Sequence, residues 1–155
     1  MNLRHRIDST KAKKLIGFSI TTSFQDNKTA LVWRQLMSRR KEITNRLSDR
    51  LISLQIYPEN FTPDQSFTKY ALAEVSDFEH IPTDFETFAL EAGKYLVFSH
   101  QGKADKGSEI FSYIFQTFIP ENNFEVDNRP HFEVFGEDYD PFDENSQEEI
   151  WIPIK

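Results

Sequence analysis

The stretch "RPHFEVF", residues 129–135, reads as a short strand opened by a proline and built of alternating bulky residues. Side chains alternate across a strand, so Phe132 and Val134 share one face and His131, Glu133 and Phe135 the other. The terminal "EEIWIPIK", residues 148–155, is a second strand. It sets Ile150, Ile152 and Ile154 against Glu149, Trp151 and Pro153. If the two strands pair and the aliphatic row packs on helices, the opposite face collects Glu133, Glu149, Trp151, Phe135 and His131. A carboxylate among aromatics is either solvated, paired with Arg129 or a lysine, or placed to meet a cation. Each ring adds about 0.5–2 kcal/mol of cation–π attraction. Alternation alone leaves these readings open.

Outward from this stretch the chain reads as two similar halves. "KKLIGFSIT" (13–21) alternates as a strand. "DNKTALVWRQLMSRRKEI" (26–43) follows as a helix capped by Asp26 or Asn27, with Ala30, Trp33, Leu36 and Met37 on its apolar stripe. "RLISLQIY" (50–57) and "SFTKYALAEV" (66–75) are strands. The order then repeats. "FETFALEAG" (85–93) and "KYLVFSHQG" (94–102) are extended and meet near Ala92–Gly93. "DKGSEIFSYIFQTFI" (105–119) is a helix ended by Pro120, and the two terminal strands close the half. The expected fold is α+β: two strand–helix–strand–strand units in pseudo-twofold tandem, forming an antiparallel sheet with helices on one face. A single domain over residues 1–155 is expected, with half-repeats at about 13–75 and 85–155 and a central cleft on the sheet face opposite the helices. Tyr57, which faces away from Ile52, Leu54 and Ile56, and Tyr70 are aromatic candidates for that cleft. Phe98, sharing a face with His100, is a further candidate. Trp33 is assigned to the core.

Composition narrows the function classes. The 155 residues include fifteen Phe, five Tyr and two Trp, no cysteine, and a net charge of −7. Without cysteine there is no disulfide, thiolate zinc site or thiol nucleophile. The basic start "MNLRHRIDSTKAKK" lacks a signal peptide's apolar run, and no segment reaches the roughly 20 apolar residues of a membrane span. A cytoplasmic protein without a membrane partner is expected. Twelve of the 18 basic residues lie in residues 1–50. They read as the outer face of a helix, and a first strand near Lys14 leaves no room for a helix-turn-helix, so direct nucleic-acid binding is not expected. The four histidines lack metal-ligand spacing and read as surface or supporting residues. The acidic loop at 136–147 lacks an ordered calcium pattern, so neither metal nor cofactor is expected.

Together these motifs give a resemblance that spans nearly the whole chain. "LVWRQL", "LISLQIY", "YALAEV", "LEAGKYLVFSHQG", "HFEVF" and "EIWIPIK" resemble the GyrI-like family, the effector-binding domain also appended to AraC-type and MerR-type bacterial regulators. The resemblance implies two tandem modules around a cleft whose floor carries the glutamate of the "FE" strand, which contacts cationic ligands in drug-binding members. That position is Glu133 here. Glu149 and Trp151 match the acidic and aromatic positions of the final strand, with Trp in place of the more usual Tyr. The chain reads as a free-standing member, since the regulators' DNA-binding segment is not seen ahead of it. The implied function is non-enzymatic binding of hydrophobic, cationic or aromatic small molecules. Two alternatives come with the resemblance. One is hydrolysis of cyclopropane-type genotoxic compounds, with Glu133 and Glu149 positioning a water. The other is interaction with a protein such as DNA gyrase or a regulator through the acidic segment 137–149.

Overall fold

The structure is a computed structural model that describes residues 3–103, 107–136, 143 and 145–155. Its strands are β1 (Leu3–Thr10), β2 (Lys13–Thr22), β3 (Arg46–Ile56), β4 (Phe67–Val75), β5 (Glu86–Leu90), β6 (Gly93–Gln101), β7 (His131–Phe135) and β8 (Gln147–Pro153). They form one antiparallel sheet in the order β1-β6-β8-β7-β3-β4-β2-β5. Helix α1 (Thr29–Arg39) lies between β2 and β3. Between β6 and β7 runs α2, α-helical over Gly107–Ser112, π-helical over Tyr113–Phe118 and α-helical again over Ile119–Glu121. Pro120 does not end this helix. The Ile119 N–H bonds back to the Ile114 carbonyl, and this wider turn relieves the clash a proline ring makes with the preceding turn.

Exchanging β1 with β5, β2 with β6, β3 with β7 and β4 with β8 reverses the strand order and leaves it unchanged. The sheet therefore carries the expected twofold, with its axis between β7 and β3. Each half holds four strands, and the first has one more than the sequence pattern indicates. β1 lies in the basic segment thought to precede the first strand, and it pairs along β6 with Arg6 opposite Val97. Its alternation is hidden because it is a charged edge strand, exposed at every position from Arg4 to Ser9. The two segments meeting at Gly93 do not pair with each other. β5 adds to the outer edge of β2, and β6 lies between β1 and β8.

This swap bends the sheet. β5 and β6 are joined by Glu91 and Ala92 alone, yet stand six strand gaps apart. A flat sheet would separate them by about 29 Å, whereas three residues reach about 11 Å. The Lys11–Ala12 connector imposes the same limit on β1 and β2. The sheet must curl, and the face away from the helices closes on itself. Leu15, Ile52, Leu54, Leu72, Leu90, Tyr95, Val97 and Phe132 form a buried cluster there from six strands and no helix. This corrects the expected cleft position, because the face opposite the helices is filled.

On the outer face α1 packs Val32 and Leu36 on Ile16, Phe18, Ala71 and Ala73, while α2 packs Ile110, Ile114 and Phe118 on Leu96, Phe98, Ile150 and Ile152. The α1 stripe is rotated from the expected one. Val32 is buried, whereas Met37 is 47% exposed. The N-cap is Lys28, without a side-chain cap, rather than the expected Asp26 or Asn27; Asn27 Oδ1 accepts from the Thr29 N–H at 3.0 Å in the turn that leads into the helix.

β2 and β4 pair as neighbours, with Gly17 opposite Leu72. A Cβ built on Gly17 would stand 2.0 Å from the Ala71 carbonyl oxygen. Gly17→Ala is therefore expected to lower stability by about 2 kcal/mol or more. Thermal denaturation checks this, and an unchanged Tm would contradict it.

Candidate functional site

Residues paired across neighbouring strands share a face. Glu133 stands opposite Ile150 and Ser53, and Phe135 opposite Glu148 and Leu51. Glu133 thus lies on the same face as the aliphatic row of β8, under the helices. Glu149 and Trp151 lie on the other face with Val134 and Phe132. The expected grouping is wrong by one residue of register. The physical reason is that both faces of the curled sheet are apolar and buried, so alternation sorts residues into two sets but cannot say which set meets the helices.

The gap on the helix face is central. α1 covers β2 and β4 and α2 covers β6 and β8, leaving the middle strands β7 and β3 between them. The strip between the two helices is a slot floored by these middle strands. Its floor carries Ser53, Gln55, His131 and Glu133, with Lys69 of β4 opposite Gln55. A cavity of about 110 Å³ opens there, lined by Gly107, Ile110 and Phe111 of α2, Glu133 and Phe135 of β7, and Glu148 and Ile150 of β8. Aromatic walls flank it. Trp33 of α1 meets Phe135 edge-on at 5.8 Å, Phe115 of α2 lies 6.2 Å from His131, and Tyr57 meets His131 edge-on at 4.9 Å. Phe61 and Phe67 pack on Tyr57. A polar groove of about 410 Å³ at the strand ends, lined in part by Arg4, Arg50 and His100, shares Glu148 with the cavity.

Burial sets the charge states. The Glu148 carboxyl is pushed up to about 8 by burial, by the Glu133 charge and by a hydrogen bond with Glu133. The shift favours the protonated form of Glu148, which can donate to the Glu133 carboxyl. His100 lies 3.3 Å from Glu148 through Nδ1, and burial lowers its pKa, so it faces the acid uncharged. His131 is pushed down to about 4, mainly by burial, and Tyr57 is raised by burial and by Glu133. Lys69 is lowered by burial, with Glu133 and Glu148 acting in the opposite sense.

Of the candidates read from the sequence, the structure brings Glu133, Phe135 and Tyr57 together. It does not bring the other four. Glu149 accepts from Arg6 Nη1 at 2.9 Å and from Trp151 Nε1 at 3.3 Å on the opposite face. Trp151 stacks on Phe132 at 5.2 Å with Arg6 over its ring. Tyr70 packs on Phe88 at the rim of the inner cluster. Phe98 is buried beneath α2 against Phe118. Sequence reasoning missed Glu148, Lys69 and Gln55; Trp33, assigned to the core, does pack against the cluster under α1 while its ring also meets Phe135. "EE" at 148–149 puts one carboxylate on each face, so only register identifies the cleft residue. Lys69 did leave a signal, a long charged side chain alternating with Ala71 and Ala73 in an otherwise core-facing row. Most of the acidic segment proposed for protein docking, 137–142 and 144, lies outside the described residues, as does most of the loop compared with a calcium site. Among the described residues no helix is long and apolar enough to cross a membrane.

Known proteins share this fold. The family model for integron-associated effector binding protein matches residues 6–154. Transcriptional regulator BrlR of Pseudomonas aeruginosa is 28% identical over 154 residues, 99% of this chain and 56% of BrlR. The chain thus spans about half the length of that curated relative. Among solved structures, SAV2435 bound to tetraphenylphosphonium superposes with a TM-score of 0.75 at 19% identity, covering 98% of this chain and 94% of that one. An integron cassette protein of Vibrio cholerae gives 0.74 at 17% identity over 100% of both chains. A hydrolase from Listeria innocua gives 0.60 at 11% identity, over 98% of this chain and 92% of that one. At these identities the structural likenesses show the fold.

The protonated Glu148 makes a linkage prediction. Its folded-state pKa of about 8 lies above the unfolded value of 4.5, so its contribution to stability is lost as pH rises from 4.5 to 8. Glu148→Gln is expected to be more stable than the parent at pH 7, by on the order of 2 kcal/mol, and equal to it below pH 4. Parallel thermal melts at the two pH values check this.

Proposed function

The chain belongs to the integron-associated effector binding protein family, and from that premise we propose that it binds hydrophobic aromatic cations in the slot between α1 and α2, without altering them. The observation that carries this reading is the Glu133–Glu148 carboxyl pair set into the floor beneath Trp33, Phe111 and Phe115. A cation entering here gains the Glu133 charge and the faces of several rings in a site that excludes much of the water. SAV2435, of the same fold, holds tetraphenylphosphonium, a cation of this chemistry. The cysteine-free composition fits work in the reducing cytoplasm.

A bound cation favours the ionised form of Glu148 and expels its proton. Affinity for tetraphenylphosphonium is therefore expected to rise about tenfold from pH 6 to pH 9. Isothermal titration calorimetry checks this. Glu133→Gln should weaken binding at every pH, whereas Glu148→Gln should flatten the pH dependence. A wild-type affinity insensitive to pH, or unchanged by Glu133→Gln, would refute the reading.

A second reading has one specific observation behind it. Glu148, whose carboxyl is raised by burial and by its neighbour, stands beside a second carboxyl in Glu133, and such a pair can protonate a leaving carbon and activate a water. Hydrolysis of a cyclopropane-type alkylating compound in this slot would use Glu133 with Glu148, since Glu149 lies on the other face. Catalytic turnover to the water adduct, lost in Glu133→Ala while the compound still binds, would favour this reading over binding alone.

A further inference from the structure

We propose that Lys69 makes the cleft select aromatic molecules that carry an anionic group beside their cation, so that zwitterions are held more tightly than simple lipophilic cations. This rests on the slot between α1 and α2 being the binding site. Lys69 is on the slot floor by register, opposite Gln55 on one side and Ile20 on the other. Its neighbours along β4 on that face are Ala71 and the aromatic Phe67, so no other charged side chain of its strand accompanies it. The Gln55 amide is buried. Oriented so that its nitrogen donates to the His131 carbonyl oxygen at 3.1 Å, its oxygen accepts from Lys69 Nζ. In that orientation the amide oxygen is the atom 3.5 Å from Glu133 Oε1, so it bonds Lys69 and not the Glu133 carboxyl.

Among the described residues no carboxylate comes within ion-pair distance of Lys69. An ammonium has three donors, and Gln55 takes one. Burial lowers the Lys69 pKa, and the Glu133 and Glu148 carboxyls oppose that shift without bonding the amine, so a ligand acceptor that bonds the Lys69 amine directly gains more than it would on the surface. The floor thus carries the Glu133 carboxyl and the Lys69 amine on either side of Gln55. A simple cation drawn to Glu133 also meets the repulsion of Lys69. A molecule with a carboxylate beside its cation satisfies both.

The test uses rhodamine B, which pairs a cationic xanthylium with a free carboxylate, and rhodamine B methyl ester, which keeps the cation alone. Affinities at pH 7.5 follow from fluorescence anisotropy. The wild type is expected to prefer rhodamine B by about tenfold. Lys69→Met, which keeps the stem, should erase that preference and tighten the ester, whereas Lys69→Arg should retain it. Glu133→Gln should weaken both dyes. A wild type that binds the ester as tightly as the acid, or a preference that survives in Lys69→Met, would overturn the proposal. If neither dye nor tetraphenylphosphonium bound the folded wild type, the slot itself would be refuted, and the role of Lys69 with it. Binding of tetraphenylphosphonium without the acid preference would refute only the role of Lys69.

Discussion

Two connectors of two residues each, Lys11–Ala12 and Glu91–Ala92, govern this molecule. Each joins strands that a flat sheet would hold far apart, and together they force the sheet to curl around its inner face. That face becomes a core without helices, filled by Phe132, Tyr95, Leu54 and their neighbours. The helices must then pack outside, each on its own pair of strands. Because the twofold axis runs between β7 and β3, the strip left uncovered is the centre of the sheet. The cleft follows from how the chain closes its other face.

What occupies that strip is polar where the rest of the sheet is apolar. Ser53, Gln55, His131, Glu133 and Lys69 share a floor with aromatic walls. A floor so desolvated tolerates few net charges, and the structure meets that limit by keeping Glu148 protonated and the two histidines neutral. On the proposed reading, a ligand's charge decides whether Glu148 keeps its proton.

Much of the fold was legible in the sequence because period-two rows and helical stripes are local signals. "KKLIGFSIT", "LISLQIY" and "EIWIPIK" are strands in the structure as read. β1 was not legible, since an edge strand that must stay soluble carries Arg4, Arg6 and Asp8 in place of an apolar row. The site was legible only by halves. Glu133, Phe135 and Tyr57 are together as expected, but alternation cannot decide between two buried faces, and Glu149 with Trp151 went to the wrong one. Glu148 depends on cross-strand register, which no local pattern encodes. Phe98 lies in a strand whose two faces are both apolar, so its orientation was equally underdetermined.

The central claim is that ligands enter on the helix face, and the chain's two tryptophans report on it, one from each side of the sheet. Trp33 borders the slot against Phe135, whereas Trp151 is stacked on Phe132 on the opposite face. The indole N–H signals in a ¹⁵N-resolved NMR spectrum, assigned with Trp33→Phe and Trp151→Phe, can be followed as tetraphenylphosphonium is added. The account predicts a saturable shift of the Trp33 signal with that of Trp151 nearly still. A shift of Trp151 with Trp33 unmoved would contradict it.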